Sequence, residues 1–317
     1  MISPNKPYTI SIIIFALYFI LIFKSIKQNK EINTQEDTKE KLIDEIKKII
    51  PYYKANKRFL RKLQNNENKV TIQIKGEIGT SVAIISNGAN VAINNKYKFF
   101  EQTPPDQIKL NNQIFSSPTE TIILQNTSIT VEMVWNQPLT CLRMMFFKCK
   151  NIESIDFSNF NFSQVNDTSS LMEECSNLKY VNFGNADLSK VENMDSMFYY
   201  CISLEKVDNS FKTYNVKNIN YLFSGCESLK SIDLSDLYTP FLTYIDSAFS
   251  KCPNLTSIEL PNLNLSSVDK IEDFFTRSNN IKYINLLNYL PGKDDDGNII
   301  TILDSEDIDT NNLIICS

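Results

Sequence analysis

Cys149, Cys175, Cys201, Cys226 and Cys252 stand 26, 26, 25 and 26 residues apart, and this spacing constrains the fold more tightly than any other feature of the chain. Such regularity marks an internal repeat, in which one short unit recurs and stacks on its copies. Other columns align on the cysteines. Three residues upstream of each lies Phe146, Met172, Phe198, Phe223 or Phe249, and three downstream lies Ile152, Leu178, Leu204, Leu229 or Leu255. A sixth copy carries Ser278 in the cysteine slot, between Phe275 and Ile281. A unit of this size cannot bury its own apolar face, so neighbours must close the core.

Within a unit the apolar period changes. Val191, Met194, Met197, Phe198 and Cys201 recur every three or four residues, as one face of a short helix does. The stretches Leu178, Val181, Phe183; Leu229, Ile232, Leu234; Leu255, Ile258, Leu260; and Ile281, Ile284, Leu286 then follow an L-x-x-I-x-L order, the pattern of a short strand with alternate side chains buried. The expected fold is an α/β leucine-rich-repeat solenoid of six units over residues 138–290, one short strand plus one short helix per repeat. Val207-Asp208-Asn209-Ser210 breaks the pattern, because Asn209 takes an apolar slot and the unit is a residue short, so a local kink or bulge is expected there.

Met197-Phe198-Tyr199-Tyr200-Cys201-Ile202-Ser203-Leu204, Ile155-Asp156-Phe157-Ser158-Asn159-Phe160 and Ile232-Asp233-Leu234-Ser235 resemble the MFxxCxxLxxIDLSxF repeat of BspA-like leucine-rich-repeat surface proteins. That resemblance covers about half of the chain and implies a microbial surface protein used in adhesion or recognition. It carries fold more strongly than function.

Residues 8–23 read YTISIIIFALYFILIF without a charge, bounded by Lys6 and by Lys24, Lys27 and Lys30. A stretch of this kind is expected to act as an uncleaved transmembrane signal anchor within residues 1–27, making a single-pass membrane protein. A cleaved signal peptide is the competing reading, and no small-x-small pair follows Phe23 to support it. The repeats are expected outside the cell, because long downstream domains translocate largely regardless of flanking charge; a cytoplasm-facing scaffold is the alternative. Residues 28–66 read as a polar linker and charged helical stalk. In residues 67–137 alternation at Val70–Ile74, Val82–Ile85, Val91–Ile93, Ile122–Leu124 and Ile129–Val131 predicts a β-rich cap with a turn at Asn87-Gly88. Residues 291–317 are expected to cap the far end. Their Gly292-Lys293-Asp294-Asp295-Asp296-Gly297 run fails the order of a calcium loop and reads as a polar turn.

The chain has no histidine, which removes the commonest general base and metal ligand, and no nucleophile motif, phosphate loop or paired metal spacing replaces it. No catalytic, cofactor or metal residue is assigned; an enzyme with its site in the β-rich block is kept as an alternative. A formal net charge of −5 gives no electrostatic footprint for nucleic acid. The cysteine column is expected to be a ladder of inert buried thiols in which a hydroxyl would lack a ready partner. Sequons at Asn126, Asn161, Asn166, Asn254 and Asn264 are about what chance supplies in a chain this rich in asparagine.

The candidate working surface is the solvent side of the strands, concave in a leucine-rich-repeat solenoid. It presents Ser154 and Asp156, Tyr180 and Asn182, Lys206 and Asp208, Ser231 and Asp233, Ser257 and Glu259, Tyr283 and Asn285. Asp156, Asn182, Asp208, Asp233, Glu259 and Asn285 are expected to form one column. The bland reading of these residues is the solvated half of alternating strands, with Asp and Ser tying down turns. The functional expectation is a membrane-anchored, non-enzymatic protein that grips a protein or surface glycan.

Overall fold

The computed structural model describes residues 68–85, 103–114, 119, 121–208, 212–294, 296–303 and 313–316. The expected anchor at 8–23, the linker and stalk at 28–66, the Asn87-Gly88 turn, the strand at Val91–Ile93, and Asn209 with Ser210 lie outside these residues. The described residues contain strands and turns and no helix. In the N-terminal block the strands are β1 (Asn68–Lys75), β2 (Ser81–Ala83), β3 (Gln107–Leu110), β4 (Gln113–Ile114), β5 (Thr121–Ile123) and β6 (Ser128–Trp135). The repeats contribute β7 (Ile152–Asn159), β8 (Tyr180–Asn182), β9 (Asp187–Leu188), β10 (Lys206–Asp208), β11 (Lys212–Thr213), β12 (Ser231–Asp233), β13 (Ser257–Glu259) and β14 (Tyr283–Asn285). After them come β15 (Gly292–Lys293), β16 (Ile299–Ile300) and β17 (Ile314–Cys316).

The repeat is therefore a β-solenoid, and the expected α/β leucine-rich-repeat fold is corrected. Where the three-or-four spacing predicts a helix, the chain makes consecutive tight turns. Alternate amides close them: Leu171, Glu173 and Cys175 donate to the carbonyls of Thr168, Ser170 and Met172, at 3.2, 3.2 and 3.1 Å. The amides between them leave the coil, with Thr168, Ser170, Met172 and Glu174 donating to Asn193, Asp195, Met197 and Tyr199 of the next, at 2.9, 2.8, 3.0 and 2.7 Å. A helix would keep all of these bonds to itself; the solenoid uses half of them to join coils. The geometry needs a left-handed residue twice per coil. Met144 and Lys148, Ser170 and Glu174, Ser196 and Tyr200, Tyr221 and Gly225, Ser247 and Lys251, Asp273 and Arg277 all have φ between 53 and 78°.

The residues themselves explain the choice of turns. Asp, Asn and Ser disfavour helix interiors because their side chains compete for nearby amides. Here Asp167 Oδ1 accepts from the Ser169 amide at 2.8 Å, Asn193 Oδ1 from Asp195 at 3.0 Å and Asn218 Oδ1 from Asn220 at 2.9 Å. The apolar period still does its work, since Val191, Met194, Met197, Phe198 and Cys201 are all buried. Periodicity reported burial correctly and backbone conformation wrongly.

Strands stack in parallel and in register: Val207 on Val181, Val181 on Ile155, Ile258 on both Ile232 and Ile284. Inside, phenylalanines from successive coils stack, Phe198 on Phe223 at 4.8 Å and 6°, and Phe223 on Phe249 at 5.5 Å and 17°. The N-terminal block continues the same sheet. β1 pairs antiparallel with β7 on one edge and with β6 on the other, giving the order β10-β8-β7-β1-β6-β3-β4. β12, β13, β14 and β17 form a second, parallel sheet. Between β10 and β12, where the unit is a residue short, the strand pairing stops.

Among the described residues no helix is long and apolar enough to cross a membrane. A span needs about 20 apolar residues in continuous helix, whereas these strands run from two to eight residues. The expected transmembrane helix and single-pass membrane localisation thus find no support among the described residues, and the stretch that carried them, residues 8–23, lies outside these.

Candidate functional site: the strand face

In-register stacking brings the predicted surface residues into rows, but not into one column of six. Asp156, Asn182 and Asp208 align through β7, β8 and β10. Asp233, Glu259 and Asn285 align through β12, β13 and β14. The break between β10 and β12 separates the two rows. Ser154, Tyr180 and Lys206 form the companion row of the first set, and Ser231, Ser257 and Tyr283 that of the second. The first set extends onto the N-terminal block, where Thr71 lies opposite Asp156 and Gln73 opposite Ser154.

Much of this face is tied down locally. Asp156 Oδ1 accepts from the Ser158 amide at 2.8 Å and from Asn182 Nδ2 at 3.0 Å, and Asn182 Oδ1 accepts from the Gly184 amide at 2.9 Å. Asp233 Oδ1 accepts from the Ser235 amide and hydroxyl at 2.9 and 2.6 Å. Asn285 Nδ2 donates to Glu259 Oε2 at 2.6 Å. One cluster is more elaborate: the Tyr180 hydroxyl donates to Asp208, Lys206 Nζ lies 2.7 Å from Asp208 Oδ1, and the same amine stands 5.8 Å from the Tyr180 ring centroid. Lys206 and Tyr180 hold the Asp208 carboxyl below the usual carboxylate range, and the Asp208 bond pushes the Tyr180 phenol up to about 12. Tyr283 is pushed up to about 12 first by its bond to Cys316 and then by burial and Glu259.

The cysteine column is a set of backbone ties. Cys175, Cys201, Cys226 and Cys252 each point Sγ at a carbonyl of the preceding coil, those of Phe146, Met172, Phe198 and Phe223, at 2.9, 3.1, 3.3 and 3.1 Å. Ser278 repeats the contact with its hydroxyl, 2.6 Å from the Phe249 oxygen, and also accepts from the Cys252 amide at 2.9 Å. The expectation that a hydroxyl lacks a partner in this slot is corrected. Burial pushes the thiols of Cys149 and Cys252 up to about 12 and raises the other three. All seven cysteines are free, Cys141 and Cys316 at exposed positions.

Among the described residues no group of three or more Cys, Asp or Glu is placed to hold a metal ion. Asp294 of the Gly292–Gly297 run accepts instead from Asn298 N and Nδ2 and from the Asp296 amide, at 2.7, 2.9 and 3.1 Å, which closes the β15–β16 hairpin. Sequence reasoning passed over Tyr214, Tyr238 and Phe241, three half-exposed rings of which Tyr214 meets both others, beside the solenoid's second strand column. Their signal was present: each puts an aromatic ring in a column that holds none in the other coils.

Coils of about 26 residues, joined along both strands and turns, define a β-solenoid repeat protein. The repeats match the family described as "Mycoplasma protein of unknown function, DUF285", at residues 126–182, 140–255 and 169–286. These matches together span half of the chain, and the chain belongs to that family. The BspA-like leucine-rich-repeat resemblance is overturned by this match. Comparison with curated proteins returned no match, and comparison with solved structures returned none either.

Proposed function

We propose that this protein is a non-enzymatic recognition module whose strand face grips an extended protein partner, as in adhesion or in the assembly of a protein complex. The observation that carries this reading is the parallel register of β12, β13 and β14, which sets Asp233 beside Glu259 in one row of half-exposed to exposed side chains. Like charges directly opposite one another in a sheet oppose folding, so a row that keeps them is more readily understood as a binding surface than as a stabilising one. A net charge of −5 speaks for a protein partner and against nucleic acid.

The test replaces Asp233 and Glu259 together by Asn and Gln, which keeps the acceptor oxygens used by Ser235 and Asn285. Stability should stay equal or rise slightly, while capture of the protein partner by the immobilised solenoid weakens. Undiminished capture by a folded double variant would move the contact away from this face.

A further inference from the structure

We infer that Tyr214, Tyr238 and Phe241 form a second binding surface, separate from the strand face, that takes a neutral glycan. The solenoid supplies its own internal comparison. At the place of Tyr238 the other coils carry Asn161, Asp187, Lys212, Asn264 and, in the last coil, Leu290; at that of Tyr214, Ser163, Ser189, Pro240 and Ser266; at that of Phe241, Gln164, Lys190, Asn215 and Ser267. The buried residue that follows in each coil, Val165, Val191, Val216, Leu242 or Val268, keeps the alignment in step. The fold thus accepts polar side chains at each of these positions, and none of the other coils compared puts an aromatic ring there.

The rings are exposed and they converge. Tyr214, Tyr238 and Phe241 show 51, 47 and 48% of their surface, far more than the phenylalanines of the core. Tyr214 stacks on Tyr238 with centroids 5.8 Å apart and planes at 24°, and Phe241 meets Tyr214 edge-on at 5.9 Å. Asn161, Asp187 and Asn264 each cap their turn by accepting from the amide two residues on, at 3.0, 3.1 and 2.8 Å, whereas two residues after Tyr238 stands Pro240, which has no amide hydrogen, so no cap is called for there. A cluster of exposed rings that the turn itself does not require favours contact with something outside the chain.

The rings are mounted on fixed backbone. Beneath them the buried Thr213 hydroxyl donates to the Tyr238 carbonyl and accepts from its amide, both at 3.0 Å, and the buried Thr239 hydroxyl accepts from the Asn264 amide at 2.9 Å. Asn215 Nδ2 donates to the Ser189 carbonyl at 2.6 Å. An aromatic platform held this way loses little freedom when it is covered.

The surroundings favour an uncharged occupant. Lys212 and Asp236, each two residues from one of the tyrosines in the chain, carry opposite charges, and the next coil carries Asn264, Ser266 and Ser267 at the positions that match Tyr238, Pro240 and Phe241. A hexose ring matches this combination: its C–H face lies against aromatic carbon while its hydroxyls meet amide and hydroxyl partners at the rim.

The experiment presents the full-length protein to arrayed neutral oligosaccharides and to sialylated and sulfated ones, then measures saturation transfer to the hits. Tyr214→Ser, Tyr238→Asn and Phe241→Asn each install a residue that the same column already carries in another coil. Melting should be unchanged in all three, and each should weaken neutral-glycan binding roughly tenfold, as loss of a stacked ring does. The Asp233/Glu259 double variant should bind the glycan as the native protein does, which separates this surface from the strand face. The inference is overturned if no neutral glycan binds, if only anionic glycans bind, if the ring variants bind undiminished, or if the rings cross-link to a protein partner without any glycan response.

Discussion

Replacing Cys201 by serine should be no more damaging than replacing it by alanine, contrary to what burial of a hydroxyl in an apolar core suggests. Cys201 is fully buried, and its Sγ lies 3.1 Å from the Met172 carbonyl, which also accepts from the Cys175 amide at 3.1 Å. Serine keeps a donor aimed at that carbonyl, and Ser278 shows that a hydroxyl reaches it at 2.6 Å from the same slot. The hydrogen bond returns about 0.5–1.5 kcal/mol, which offsets most of the roughly 1 kcal/mol lost with the apolar sulfur. Alanine loses both the sulfur contacts and the donor, at a cost of about 1–2 kcal/mol. Urea unfolding of the two variants, compared at equal m-value, provides the assay. Serine falling below alanine by more than about 1 kcal/mol would refute the reasoning, because that deficit is the signature of a hydroxyl without a partner. The same column sets an alkaline limit. Each buried thiol has its folded pKa raised above the ordinary 9.0, so its contribution is complete below pH 9 and is lost as the pH rises above that, because the unfolded chain ionises first; for Cys149 and Cys252 the loss continues to about pH 12. Each thiol steepens that loss by about 1.4 kcal/mol per pH unit, and Cys201→Ser should remove one such share from the slope of stability against pH.

Iodoacetamide applied to the native protein should modify Cys141 and Cys316 and spare the five buried thiols, as mass spectrometry of the alkylated peptides can read. Gly225→Ala should lower stability by about 1–2 kcal/mol, since φ is 78° and the new Cβ would stand 3.1 Å from the Tyr200 ring. Glu174→Gly occupies the matching left-handed site, with φ at 56°, and should leave stability unchanged or raise it by about 1 kcal/mol in the same melting assay. Removal of residues 178–203 joins equivalent points of two coils and should leave a shorter folded solenoid, whereas a cut of half that length should abolish the strand signal in circular dichroism; equal behaviour of the two would contradict the repeat register.

The cysteine spacing by itself determined that the chain stacks in units, where the units begin, and which side chains point inward. Phe198, Phe223 and Phe249 occupy one column in the sequence and one stack in the core. Ser278 could be placed in the cysteine slot before any geometry was known, because alignment fixes position without regard to chemistry. The same period could not say what the backbone does. Apolar residues at intervals of three and four bury equally well on a helix and on a run of tight turns, and the difference lies in whether the amides of Thr168, Ser170 and Met172 bond within their own coil or to the next. That is a contact between residues 25 apart, invisible to local pattern. The carbonyl facing each thiol, the Tyr180–Asp208–Lys206 cluster and the meeting of Tyr214 with Tyr238 and Phe241 are of the same kind. Each joins separate coils or strands, so only the stacked tertiary structure could decide it.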